Sequence, residues 1–181
     1  MAKIRLFVAI KASDEAKDYL LELQKKFSGL GDFKFVKEFH LTLKFLGYVD
    51  EGDVEKIDSL MKRIKYRKFE LCLSELGVFP GVGSARVLWI GTEGNVRGLW
   101  ELVETSLKKD YGTEERFKEH ITLARINHIN DKEGFKNLLK ETVVKKIKFI
   151  VGGFLLVKSE LRREGPIYTD LKRYELSQIR H

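Results

Sequence analysis

Two histidines and two threonines stand in one repeated pattern, His40-Leu41-Thr42-Leu43 and His120-Ile121-Thr122-Leu123, 80 positions apart (120 − 40). Successive side chains of an extended strand point to opposite faces. His40, Thr42 and Lys44 are therefore expected on one face, and Leu41, Leu43 and Phe45 on the other. The second copy divides in the same way. Imidazoles titrate near pH 6.5, so at neutral pH one can take a proton while another gives one. Two of them on opposite sides of a phosphorus atom suit in-line displacement, in which the attacking water loses a proton and the leaving oxygen gains one. Threonine hydroxyls two residues along can donate to the non-bridging oxygens, where charge builds in the transition state. This chemistry requires no metal. A single His-x-Thr in an amphipathic strand reads as a half-buried structural pair; two copies at matching places of a repeat read as a site.

The elements that must carry these residues also recur. Ile4 to Ile10 alternates as a strand, Ser13-Asp14-Glu15 starts a helix with the stripe Ala16, Leu20, Leu23 and Phe27, and Gly29 closes it. Phe33 to Val36 is a short extended piece, and Phe39 to Leu46 is a strand ending at Gly47. Asp50 or Asp53 caps a second helix, Phe69 to Leu76 is a strand, and Gly77-Val78-Phe79-Pro80-Gly81 is a turn-rich break. Then the order returns: strand Arg86 to Ile90, helix capped by Asn95, strand Phe117 to Arg125, helix capped by Asn130 or Asp131, and one long strand from Lys146 to Val157. A last strand, Ile167 to Leu176, follows the Gly165-Pro166 turn. The βαβαβ order occurs twice, roughly over 3–77 and 85–158, with the final strand at 167–176. Such a repeat predicts one bilobal domain over 1–181, with two similar lobes about a pseudo-two-fold axis.

Composition narrows the class. The 181 residues carry 34 Lys+Arg against 27 Asp+Glu, a net charge of +7, with 43% apolar residues and one cysteine. The apolar share is enough for a real core, and one cysteine excludes an intramolecular disulfide framework and a cysteine-rich metal site. No run is long enough to span a membrane, and Met1 to Arg5 leads straight into a charged strand pattern, so a soluble, cytoplasmic protein is expected. A basic excess fits a polyanionic partner. Interleaved Lys and Glu fit an ion-pair-rich surface equally well. Cys72 reads as a packing residue, and His128 and His181 as solvated loop and terminus. None of them has metal-ligand spacing with Glu119, and no metal site is expected.

The chain resembles the 2H phosphoesterases, and more narrowly the RNA 2′,3′-cyclic phosphodiesterases, also called 2′-5′ RNA ligases. The resemblance is carried by His40-Leu41-Thr42-Leu43-Lys44-Phe45-Leu46-Gly47 and His120-Ile121-Thr122-Leu123-Ala124-Arg125. Flanking matches are Arg5-Leu6-Phe7-Val8-Ala9, Gly77-Val78-Phe79-Pro80, Arg86-Val87-Leu88-Trp89, Ser159-Glu160-Leu161 and Gly165-Pro166-Ile167-Tyr168. Glu119 departs from it, since the family commonly has proline there. The resemblance implies a two-lobed α+β fold, with antiparallel sheets facing a central cleft and helices outside. It implies hydrolysis of a terminal 2′,3′-cyclic phosphate on RNA to a 2′-phosphomonoester, with no metal and no organic cofactor. It implies His120 as proton acceptor, His40 as proton donor, and Thr42 and Thr122 as phosphate holders. Reversible 2′-5′ joining of tRNA halves would use the same residues.

Arg125, Arg86 and Arg5 are candidate phosphate ligands, although strict alternation puts Arg125 on the Leu123 face unless the strand bulges. Phe79 and Tyr168 are candidate stacking surfaces for a base. A monomer acting on RNA ends is expected. Two other readings stand beside it: a small cyclic nucleotide or ADP-ribose cyclic phosphate as substrate, and an RNA-end-binding module without turnover.

Overall fold

Apolar side chains at every second position draw segments of chain into strands, and stripes at three- and four-residue spacing draw others into helices. The computed structural model describes residues 1–178. In chain order its elements are β1 (Lys3–Lys11), α1 (Asp14–Phe27), β2 (Gly31–Phe35), β3 (His40–Asp50), α2 (Val54–Lys62), β4 (Phe69–Phe79) and β5 (Val87–Gly94). There follow α3 (Val96–Tyr111), β6 (His120–Ile129), α4 (Lys132–Glu141), β7 (Lys148–Val151), β8 (Gly153–Glu160) and β9 (Ile167–Glu175). Among the described residues nine strands form one curled antiparallel sheet in the order β7-β4-β5-β6-β3-β1-β8-β9, with β2 beside β6. The helix stripes, such as Ala16, Leu20, Leu23 and Phe27 of α1, pack with Leu6, Val8, Leu41, Leu43, Ile121 and Leu123 of the sheet in the main core. The architecture is α+β, as expected.

The two halves of the sheet meet at one residue pair, Leu41 of β3 opposite Ile121 of β6. These partners hold the same place in the two repeats, so the seam marks a pseudo-two-fold axis. Around it the repeats exchange pieces. β1 pairs with β3 and β8, while β5 pairs with β6 and β4. The third strand of each repeat, β4 or β8, thus joins the sheet of the other. Helices cross as well, with α1 against β6 and α3 against β3. Each lobe is therefore interleaved from both repeats, and neither lobe is the contiguous half 3–77 or 85–158.

Alternation fails just beyond each threonine. The register passes from Ala9 opposite Thr42 to Val8 opposite Lys44, leaving Leu43 without an opposite residue. It passes likewise from Trp89 opposite Thr122 to Leu88 opposite Ala124, leaving Leu123 without one. A β-bulge of this kind turns the following residues onto the other face. Lys44 consequently leaves the His-Thr face and is buried, while Phe45 emerges into solvent. Arg125 emerges at the equivalent place.

Buried polar groups hold both bulges. Lys44 Nζ donates to Glu104 Oε2 and to the Gly112 carbonyl, each at 2.8 Å, and Glu104 Oε1 accepts from the Glu114 amide at 2.8 Å. Across the pseudo-axis Gln24 Nε2 donates to the Leu123 carbonyl at 2.9 Å and to the Val36 carbonyl at 2.8 Å. Gln24 and Glu104 are themselves 80 positions apart (104 − 24), one on each crossing helix.

Several boundaries differ from expectation for local reasons. β3 continues past Leu46 because Gly47, at φ +70°, absorbs a second register shift instead of ending the strand. β4 continues through Gly77, which lies opposite Trp89; the indole fills the space a Cβ would need. The single strand expected over 146–157 breaks at Gly152 into β7 and β8, which pair with β4 and β1 respectively. β6 begins only at His120 and runs on to Ile129, so His128 lies in a strand, exposed, and not in a loop. His181 lies outside the described residues.

Lys44→Ala would leave the Glu104 carboxylate buried without its cation. Removing one partner of a buried pair costs about 3–5 kcal/mol, and urea unfolding is expected to show a loss of that size. A change below about 1 kcal/mol would fit only an exposed pair.

Candidate active site

The seam fixes which side chains face one another. With Leu41 opposite Ile121, antiparallel register sets His40 across from Thr122 and Thr42 across from His120, all four on the face turned away from the main core. His40, Thr42 and Thr122 line a single cleft of about 1050 Å³, together with Arg5, Arg125 and Tyr168. The bulge at Leu123 explains how Arg125 reaches this wall against simple alternation.

Each imidazole is boxed by two aromatic rings. His40 lies edge-on to Phe7 at 5.7 Å and to Tyr168 at 5.4 Å between centroids. Phe7 belongs to a second small apolar cluster with Ala9, Leu155 and Val157 on the cleft side of the sheet. His120 lies edge-on to Phe79 at 5.0 Å and to Trp89 at 6.2 Å. Phe79 and Tyr168 therefore wedge the two imidazoles through their ring contacts; Tyr168 lines the cleft, while Phe79 and the His120 it packs against lie off its wall. Arg86 also lies off that wall. It is exposed and donates from Nη1 to the Asn127 carbonyl at 3.2 Å. Register explains the miss. Val8 and Leu88 face Lys44 and Ala124, so Arg86 matches Leu6 on the core side of β1 and not Arg5.

Burial dominates the electrostatics. His40 is only 9% exposed, and its pKa is pushed down to about 4, first by burial and then by the Lys11 cation, with Asp170 opposing. Lys11 stands opposite His40 in the ladder and pairs with Asp170 at 2.9 Å. His40 Nε2 has no hydrogen-bond partner among the described residues; the nearest carboxylate oxygen, Glu38 Oε2, is 3.9 Å away. The His120 pKa is also lowered, mainly by burial and further by the Lys118 cation, against a hydrogen bond that raises it. That bond runs from Nδ1 to the Lys118 carbonyl at 2.7 Å. A carbonyl only accepts, so Nδ1 carries the proton and Nε2 keeps a lone pair. Burial raises the Tyr168 phenol, while Arg5 and Arg125 nearby act against that rise. Arg5 is held by a 3.1 Å bond from Nη1 to Ser159 Oγ.

Sequence reading missed Phe7, Trp89 and the Lys118 carbonyl. The first two carry a legible signal, since both alternate with core residues on strands flanking the tetrads. A backbone carbonyl carries none. Among the described residues no group of three His, Cys, Asp or Glu side chains is placed to ligate a metal, and no helix is long and apolar enough to cross a membrane.

Twin His-Thr strands on one curled sheet are the mark of the 2H phosphoesterases. The family described as LigT like Phosphoesterase matches residues 10–89 and 94–168, each stretch holding one tetrad, and the chain belongs to that family. Among relatives, the RNA 2′,3′-cyclic phosphodiesterase of Archaeoglobus fulgidus is 32% identical, covering 95% of this chain and 100% of its own. The crystal structure of TT0787 of Thermus thermophilus superposes with a TM-score of 0.84 at 29% identity, covering 97% and 99% of the two chains. The structure of E. coli LigT complexed with phosphate gives 0.72 at 30% identity, covering 98% and 100%.

A buried neutral imidazole links folding to acid. His40 titrates near 6.5 when unfolded and at about 4 when folded, so stability is complete above pH 6.5 and falls as pH drops through that window, by about 3 kcal/mol. His40→Phe is expected to flatten the stability curve between those limits. Chemical denaturation at a series of pH values checks it, and an unchanged slope would contradict the burial argument.

Proposed function

We propose that this protein hydrolyses terminal 2′,3′-cyclic phosphates of RNA to 2′-phosphomonoesters by two-histidine acid–base catalysis. The observation that carries the reading is the seam, which sets His40 across from Thr122 and Thr42 across from His120, with His40, Thr42 and Thr122 on the wall of the cleft. The names of the relatives and the phosphate complex of E. coli LigT support it.

His120 Nε2, left basic by its Nδ1 bond, takes a proton from water as the water oxygen attacks phosphorus. The P–O3′ bond breaks on the far side, and His40 gives its proton to the departing 3′ oxygen. The phosphate stays on O2′. Thr42 and Thr122 donate to the non-bridging oxygens, and Arg125 and Arg5 balance their charge. Proton exchange with solvent then resets both imidazoles. With an RNA 5′ hydroxyl in place of water the same steps form a 2′-5′ phosphodiester, as joining tRNA halves would require. No metal enters, and we place the enzyme in the cytoplasm as a monomer.

His40 must be protonated to act as the acid, yet burial keeps it neutral in the free protein. The anionic phosphate supplies the missing counter-charge, since a nearby negative charge raises an imidazole pKa. The kcat/KM profile reports the free enzyme. With both histidines lowered, its bell should peak acid of pH 6.5, while kcat, which reports the complex, peaks at higher pH. Rates from pH 4 to 9 decide this; a kcat/KM optimum above neutrality would contradict the assignment.

The direct test is an oligoribonucleotide ending in a 2′,3′-cyclic phosphate, incubated with EDTA, with the product end identified. A 2′-phosphate at undiminished rate is expected. His40→Ala and His120→Ala should each lower kcat by about 10²–10⁴ while binding persists. A 3′-phosphate product or loss of activity with chelator would overturn the roles given.

A further inference from the structure

The cleft exceeds what chemistry at one phosphorus needs. Its volume of about 1050 Å³ stands at the top of the range for small-molecule pockets, roughly 300–1,000 Å³. Its wall carries six cations, Arg5, Lys34, Lys37, Arg125, Arg162 and Arg163, against two carboxylates, Glu38 and Glu164. More than half of the chain's +7 net charge is therefore gathered there. Arg5 and Arg125 flank the His-Thr pairs. The other four form two rims that β3 and β1 separate in the sheet. Lys34 and Lys37 sit on and just past β2, and Arg162 and Arg163 sit in the turn between β8 and β9, which a Gly165 amide to Arg162 carbonyl bond closes at 3.1 Å.

One contact is unfavourable as it stands. Lys34 lies directly opposite Arg125 in the β2–β6 ladder, and like charges directly opposite destabilise a sheet. Neither takes part in an ion pair among the described residues. A bound polyanion relieves that repulsion. Between the rims Phe45, 62% exposed, offers an aromatic face on the same wall. Cations that track a backbone, with an aromatic ring for a base, are the elements of single-strand recognition.

We propose that the rims hold the RNA strand on the 5′ side of the reacting nucleotide. Lys34 and Lys37 take one backbone phosphate, Arg162 and Arg163 take another, and Phe45 stacks a base. The preferred substrate is then an oligonucleotide and not a mononucleotide. This inference rests on the cyclic-phosphate reading above.

The test compares 2′,3′-cyclic AMP with a pentamer ending in the same cyclic nucleotide, for the wild type, Lys34→Ala/Lys37→Ala and Arg162→Ala/Arg163→Ala. The wild type should favour the pentamer in kcat/KM by about tenfold or more, with a steep fall between about 50 and 200 mM salt. Each double variant should lower the pentamer value about fivefold or more and flatten its log–log salt slope by about 1, leaving cyclic AMP turnover within about twofold. Equal preference for the two substrates in the wild type, or equal losses on both in the variants, would overturn the clamp and leave the phosphodiesterase reading standing. If neither substrate is hydrolysed, that reading fails instead. Binding of a labelled pentamer then decides the clamp, which falls if the variants bind it as tightly as the wild type.

Discussion

The structure turns on the meeting of β3 and β6 at Leu41 and Ile121. One bridging pair is a slender contact for two lobes, and it cannot fix their angle alone. The crossing helices supply what it lacks. Gln24 of α1 bonds the carbonyl of the bulged Leu123, and Glu104 of α3 bonds Lys44 just past the bulged Leu43. Each is a buried polar group from one repeat satisfying a buried group in or beside the other repeat's half of the seam. Left unmet, such groups cost far more than the bonds return in net stability. The seam is thus held by the penalty of opening it, and the segment leading to His120 is tied into the same network through the Gly112 carbonyl and the Glu114 amide.

Placing imidazoles on that seam has an electrostatic consequence. Both are enclosed by aromatic rings, where a charged ring loses hydration without a fixed counter-ion, and of the two only His40 lines the cleft. Both pKa values fall, and His40 falls far. A proton on His40 and an anion bound beside it would each stabilise the other, so in the proposed reaction the two arrive as one linked event.

Much of this was legible in the chain. The tetrads, their spacing, the helix starts at Ser13 and Asp131 and the apolar stripes each follow from local pattern, and both caps form as side-chain bonds. What pattern could not show was partnership. The exchange of β4 and β8 between lobes is set by tertiary packing, and nothing local distinguishes it from two contiguous halves. The bulges lie in ordinary alternating sequence; their cause is the register against β1 and β5, a long-range property. Lys44 and Phe45 are therefore misplaced by simple alternation, while at Arg125 the bulge that the sequence reading allowed for is present. Arg86 failed for a related reason: setting it level with Arg5 takes an offset of 81 (86 − 5), and the paired ladders give 80 (88 − 8).

Symmetry also limits what the core of the site can do. Two identical His-Thr pairs about a two-fold axis would accept a phosphate in either of two equivalent orientations, and neither imidazole would be committed to acid or base. A reaction that cleaves P–O3′ and spares P–O2′ needs that equivalence broken. Here it is broken twice. His120 has its tautomer fixed by the Lys118 carbonyl, while His40, more deeply buried, sits beside the Lys11–Asp170 pair. Beyond the matching bulges, one lobe presents the ring of Phe45 where the other presents the cation of Arg125. A nucleotide is asymmetric in the same sense, with a base on one side and a phosphate chain on the other. The duplicated framework thus brings the two His-Thr pairs together, and the residues just past the duplicated motif make its two sides unlike, as the proposed reaction requires.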